Sequence, residues 1–166
     1  MSQRGMVIDG LEFARRQGCL SGQLRLGALQ RLNDVLFDAD GHLDYEIAGE
    51  MAGNNAFLKL RIEGPLRLTC QRCLGPMEFA LDLSSRVMLV ESEAPWPEDG
   101  QHGGLEDETC DAIEASRELN LLPLLEEEIL LALPIAPRHE ACQPPAVADS
   151  SGSVSPFAQL ARLKRQ

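Results

Sequence analysis

The sequence predicts an α+β fold: an antiparallel sheet or partly closed barrel of about five to six strands, with one long helix packed on it and a short N-terminal helix. Three observations lead there. Successive runs alternate apolar and polar residues with a period of two and are joined by hairpin-length connections. A single later run carries the 3.6-residue period of an amphipathic helix. Aromatic residues are only 4% of the chain, so the core has to be built from Leu, Val, Ile and Ala.

Asp9 is a natural N-cap for a short helix over 10–17, and Gly18 is a natural stop. Leu20, Leu24 and Leu26 then fall on one face of a strand. Asp38-Ala-Asp-Gly41 reads as a turn, because further oxygen ligands and a closing Glu of a calcium loop are missing. Leu43, Tyr45 and Ile47 alternate within 42–50, as do Leu58, Leu60 and Ile62 within 56–63, with Gly53-Asn54-Asn55 as the turn. Leu66 and Leu68 carry a strand into Cys70, and the alternation resumes at Phe79, Leu81 and Leu83 and runs on to Glu91.

The stretch 94–116 mixes Pro and Gly with many acids and is a poor core former, so a mobile, solvated acidic loop is expected at about 92–118. Asn120 should cap a helix over 121–133, with Pro123 in its first turn and Pro134 ending it. Leu122, Leu125, Ile129 and Leu133 form its apolar stripe, and the Glu126-Glu127-Glu128 side is expected to face water. The division is therefore a single α+β domain over 1–142, a flexible linker over 143–155 and a short basic amphipathic motif over 156–166.

The 166-residue chain has a formal net charge of −11, which disfavours broad binding along a phosphate backbone. The charge is uneven. From Glu91 to Glu118 there are ten acids and one Arg, whereas Arg162, Lys164 and Arg165 stand near the C-terminus without an acid. No apolar run suits a secretory signal or a membrane span, so a soluble cytoplasmic protein with reduced thiols is expected. Of the five cysteines, Cys19 is expected to be a small buried residue. Cys110 is expected in the acidic loop, where carboxylates disfavour its thiolate.

Cys70-Gln-Arg-Cys73 is the best-defined local feature. A Cys-x-x-Cys turn lets two thiolates reach one ion, and Gly75 suits a tight knuckle. His139-Glu-Ala-Cys142 supplies a second pair, which makes Cys70, Cys73, His139 and Cys142 a candidate structural zinc site of soft donors. The alternative is a plain turn with small, partly buried cysteines. A thioredoxin-type redox motif would open a helix after a parallel strand, which this context does not offer.

Cys70-Gln-Arg-Cys-Leu74, the run from Leu124 to Pro134 followed by Pro137-Arg-His139, and Pro156-Phe-Ala-Gln-Leu-Ala-Arg-Leu-Lys-Arg165 together resemble the bacterial YceD family, the large ribosomal RNA subunit accumulation proteins. The resemblance implies a cytoplasmic role in synthesis, processing or stability of 23S rRNA. It brings no catalytic residues.

Independently, nothing in the chain offers a phosphate-cradling Gly-rich loop, a paired-His metal motif or a nucleophile elbow. The expectation is a non-catalytic ribosome-biogenesis factor that binds a large-subunit precursor component, either rRNA or a basic ribosomal protein. Within the terminal motif Phe157, Leu160, Arg162, Lys164 and Arg165 are the expected partner contacts, because Phe157 and Leu160 share one helical edge beside basic residues. The alternatives are a metal-dependent rRNA-processing enzyme and a zinc-stabilised module without ribosomal contact.

Overall fold

The computed structural model describes residues 6–91 and 110–145. Its elements are β1 (Val7–Ile8), α1 (Gly10–Arg15), β2 (Cys19–Arg25), two short 3-10 turns (Leu26–Ala28 and Gln30–Leu32), β3 (His42–Ala52), β4 (Asn55–Thr69), β5 (Pro76–Val90), β6 (Asp111–Glu114), β7 (Leu119–Asn120) and α2 (Leu121–Ala132). The main sheet runs β2-β3-β4-β5-β6, and β1 pairs with β7 in a small second sheet.

The expected α+β class is what folds, and β2 to β5 form an antiparallel meander. Of the two forms expected, the open sheet rather than the partly closed barrel is found, a five-strand array with β2 and β6 as its edges. It is also mixed, because β6 pairs parallel to β5 from Val87–Asp111 to Val90–Glu114. That strand lies in the stretch read as a loop. Its four residues sit among acids, and Ala112 and Ile113 alone are too short an apolar signal to announce it. Residues 92–109, the larger part of the expected loop, lie outside the described residues.

β4 and β5 are long because their register is unbroken for fourteen pairs, from Ala56–Leu89 to Thr69–Pro76. Pro65 would cost a ladder hydrogen bond in a fully flanked strand. It is accommodated because β3 pairs with β4 only as far as Glu63. Beyond that point β4 is flanked by the chain at 35–37, through Phe37 N–H to Arg67 O and Thr69 N–H to Val35 O.

Leu43, Ile47, Leu58, Leu60, Ile62, Leu66 and Leu68 are all at most 1% exposed and line one face. Each such side chain contributes about 1.5–3 kcal/mol by leaving water. α1 reaches this face through Gly49, where a Cβ would come within 2.5 Å of Phe13 O and 2.7 Å of Ala14 Cα. Asp9 caps α1 by accepting from Glu12 N–H at 3.0 Å, as the sequence suggested.

α2 begins as expected, with Asn120 Oδ1 accepting from Leu122 N–H at 3.1 Å. Leu121, Leu125 and Ile129 seat it in the core. The acidic side of α2 corrects the expectation, because Glu126 and Glu128 are buried and Glu127 remains outside. Glu126 Oε1 accepts the Arg31 backbone N–H at 2.6 Å, so the 3-10 turn replaces water as its partner.

Two cysteines also exchange roles. Cys19 is exposed, on the edge strand β2. Cys110 is buried in a second cluster with Phe57, Met88 and Val90.

Candidate metal centre

The turn between β4 and β5 is built from its own backbone. Cys70 N–H donates to Gly75 O at 2.9 Å and Leu74 N–H donates to Cys70 O at 2.9 Å. The left-handed residue in this turn is Leu74, at φ 61, and not Gly75. A leucine in that region carries strain that the surroundings must hold. The wound turn places Cys70 and Cys73 on the same side, Cys70 fully buried and Cys73 partly so.

The second pair arrives on the strap that follows α2. Pro134 cannot continue a helix, and the chain turns back across the β4–β5 end. Gln71 N–H donates to Pro137 O at 2.8 Å, Gln71 Nε2 to Ile135 O at 3.4 Å, and Arg72 Nη1 to Cys142 O at 3.5 Å. These bonds put His139 and Cys142 opposite the turn despite more than sixty intervening residues.

The four ligand atoms of Cys70, Cys73, His139 and Cys142 all lie within 4.8 Å of one another. Cys70 Sγ is 3.8 Å from Cys142 Sγ, and Cys73 Sγ is 3.4 Å from His139 Nδ1. A tetrahedral zinc ion with usual bond lengths separates two sulfurs by about 3.8 Å and a sulfur from a nitrogen by about 3.6 Å. The donor set therefore fits such an ion in chemistry and in spacing, whereas 3.8 Å is far beyond a disulfide bond.

Orientation of the imidazole supports the same fit. His139 Nε2 lies 3.0 Å from the Pro76 carbonyl, which can only accept, so Nε2–H donates there and Nδ1 keeps its lone pair toward the sulfurs. The thiols are not equivalent. The Cys73 backbone N–H pulls the Cys70 thiol down to about 5 against the opposing effect of burial, with help from the backbone N–H groups of His139 and Arg72. Burial, followed by the neighbouring sulfurs of Cys70 and Cys73, pushes Cys142 up. A cation shared among the three sulfurs favours the thiolate at each.

All four residues that the sequence singles out are thus brought together. Phe157, Leu160, Arg162, Lys164 and Arg165 lie outside the described residues, as does 146–155 of the expected linker. Sequence reasoning missed Gln71 and Arg72 as the residues that fasten the turn to the strap. Their position between the two cysteines was the available signal. No helix among the described residues is long and apolar enough to cross a membrane.

Comparison with known proteins bears on this geometry. Residues 58–164 match the family described as "Large ribosomal RNA subunit accumulation protein YceD", a span that includes all four ligands. A protein of the same name from Haemophilus influenzae is 28% identical over 177 residues, covering 97% of this chain and 96% of the relative. No solved structure matches the chain. With well over half its length matched to one family and a relative aligned nearly end to end, the chain belongs to the YceD family of large ribosomal RNA subunit accumulation proteins.

Proposed function

We propose that this protein is a non-catalytic cytoplasmic factor that supports accumulation of 23S rRNA by binding a large-subunit precursor, its turn and strap being locked by a structural zinc ion. The observation that carries the reading is membership of a family named for large ribosomal RNA subunit accumulation. Cys70, Cys73, His139 and Cys142 would hold the metal, which would supply a rigid cross-link between the β4–β5 turn and the strap. With four protein ligands the coordination shell is closed, which suits a structural ion and leaves no position for an activated water.

A groove of about 820 Å³ beside α1 is lined by Asp9, Glu12, Arg15, Arg16, Glu91 and Arg117 among others, with no His or Cys in its wall. Arg15 and Arg16 are already engaged by Glu91 and Glu12. Ser116 Oγ in the groove wall accepts the Glu118 N–H at 3.1 Å. In this reading the Phe157–Arg165 motif contacts the precursor, and the acidic segment from Glu91 to Glu118 docks a basic ribosomal protein by complementary charge.

The test is capture of the full-length protein from cells in gentle salt, with co-purifying RNA and protein both identified, beside a variant lacking 157–166. Large-subunit precursors on the intact protein, reduced on the truncated one, are expected. Precursor association that survives the truncation would remove the terminal motif from the mechanism. Cleavage or modification of rRNA by the purified protein with magnesium or zinc would replace the binding role by an enzymatic one. Stoichiometric metal with no ribosomal association would leave a structural module alone.

A further inference from the structure

The two segments that carry the metal-site residues are free of acids: none occurs in 69–77 or in 129–139, although the chain carries −11 overall. The neighbouring stretch at 34–38 carries Asp34 and Asp38, the latter paired with Arg67. Arg72 and Arg138 are both exposed on these segments. The described salt bridges employ Arg15, Arg16, Arg31, Lys59, Arg61, Arg67 and Arg86, and neither Arg72 nor Arg138 is among them. The Arg72 guanidinium makes one contact of 3.5 Å to Cys142 O, which leaves most of its donors free. Glu140 is the nearest acid in sequence on the strap, and Glu78 on β5 is held by Arg67 at 3.4 Å.

Large apolar side chains are exposed at the same end. Leu74 is 59% exposed at the tip of the turn, and Ile135 is 99% exposed on the strap, where its carbonyl accepts from Gln71. Phe37, at 44%, is exposed beside the last residues of β4, with the Arg67 guanidinium over its ring at 5.4 Å. Guanidiniums without an acidic partner among the described residues, beside exposed aliphatic side chains, match the needs of single-stranded RNA: phosphates take the first, and riboses and base faces lie against the second.

The described part of the acidic segment, at the far end of β5, does not cancel this surface. Its described ends, Glu91 and Cys110, adjoin the last residues of β5 and the start of β6, and β6 meets β5 at Val87. From Pro76 to Val87 the strand extends about 35 Å at roughly 3.3 Å per residue. Screening at physiological salt acts over about 8 Å, so charges at the two ends of β5 are felt separately.

We infer that the metal-turn end is an RNA contact surface, with Arg72 and Arg138 on backbone phosphates and Leu74 and Ile135 against the sugar–base face. This deepens the binding reading above and rests on it. It names RNA as the component touched and adds a contact on the folded domain to that of the terminal motif.

The test uses full-length protein and fluorescein-labelled fragments tiling the large-subunit rRNA, with affinity followed by anisotropy across a salt series. Loss of two phosphate contacts in Arg72→Ala/Arg138→Ala should reduce the slope of log affinity against log salt by about 1.4 to 1.8. Arg72→Lys/Arg138→Lys should keep most of that slope, and Glu140→Gln should tighten binding. Should the double Ala variant fold poorly, Arg138→Glu carries the same test, because the Arg138 side chain has no partner among the described residues. Unchanged affinity and slope in the Ala or Glu variants would overturn the inference. So would a wild-type protein that binds no fragment; if it nonetheless co-sediments with large-subunit precursors, the broader binding reading survives without this surface.

Discussion

The two ends of the β4–β5 ribbon are held by different physics. Around α1 and α2 the sheet is fixed by burial: Leu58, Leu60, Leu121, Leu125 and Ile129 are at most 1% exposed and interlock across the layers. At the turn end the described chain is fixed by backbone hydrogen bonds, one imidazole and three thiols, with Leu74 and Ile135 left in solvent. Burial does not depend on whether a metal ion is bound, whereas a ligand-held turn is only as firm as its ligand. With the proposed metal bound, the chain would combine a permanent core with a conditional end.

The sharpest way to break that comparison is at the core. Leu125→Ala removes a fully buried side chain of α2 and should lower the unfolding free energy by about 2–5 kcal/mol. The loss should be the same with or without a chelator when measured by urea unfolding. Chelation of the wild-type protein should act at the other end. It should cost about 4 kcal/mol where the metal had been present at a thousand times its dissociation constant. Hydrogen exchange should then quicken in 70–75 and 133–145 while β3 and β4 stay protected.

A smaller effect belongs to the helix–sheet contact. Gly49→Ala must push α1 off the sheet, because its Cβ would meet Phe13 and Ala14 backbone below 3.0 Å, and about 1–3 kcal/mol should be lost. Asn120→Ala should cost about 1 kcal/mol by leaving the Leu122 N–H without its cap, visible as a lower thermal midpoint. Equal sensitivity of all these variants to chelation would mean that the two ends are one cooperative unit.

The sequence made the core largely legible because period-two and 3.6-residue patterns report which face is buried, and Leu43, Leu60 and Leu125 lie where those patterns place them. It misread features whose reason lies elsewhere in the chain. Glu126 looked solvated because its partner, the Arg31 backbone, is ninety-five residues away. β6 escaped because pairing with a long strand, rather than its own propensity, makes it a strand. Cys19 looked buried from its apolar neighbours, but β2 is an edge strand and leaves it exposed. At the metal centre the ligand types and the two short spacings were visible. The closure between them depends on Pro134 turning the strap and on Gln71 and Arg72 catching it, which only the fold reveals.

Firmness of the turn end depends on whether Cys70, Cys73, His139 and Cys142 hold a metal ion. Elemental analysis of protein purified under reducing conditions, with free thiols counted on the same sample, tests this most directly. One zinc ion per chain is expected, lost in Cys73→Ser/Cys142→Ser while α2 and the sheet stay folded by circular dichroism. Wild-type protein with its thiols intact and no stoichiometric metal would contradict it.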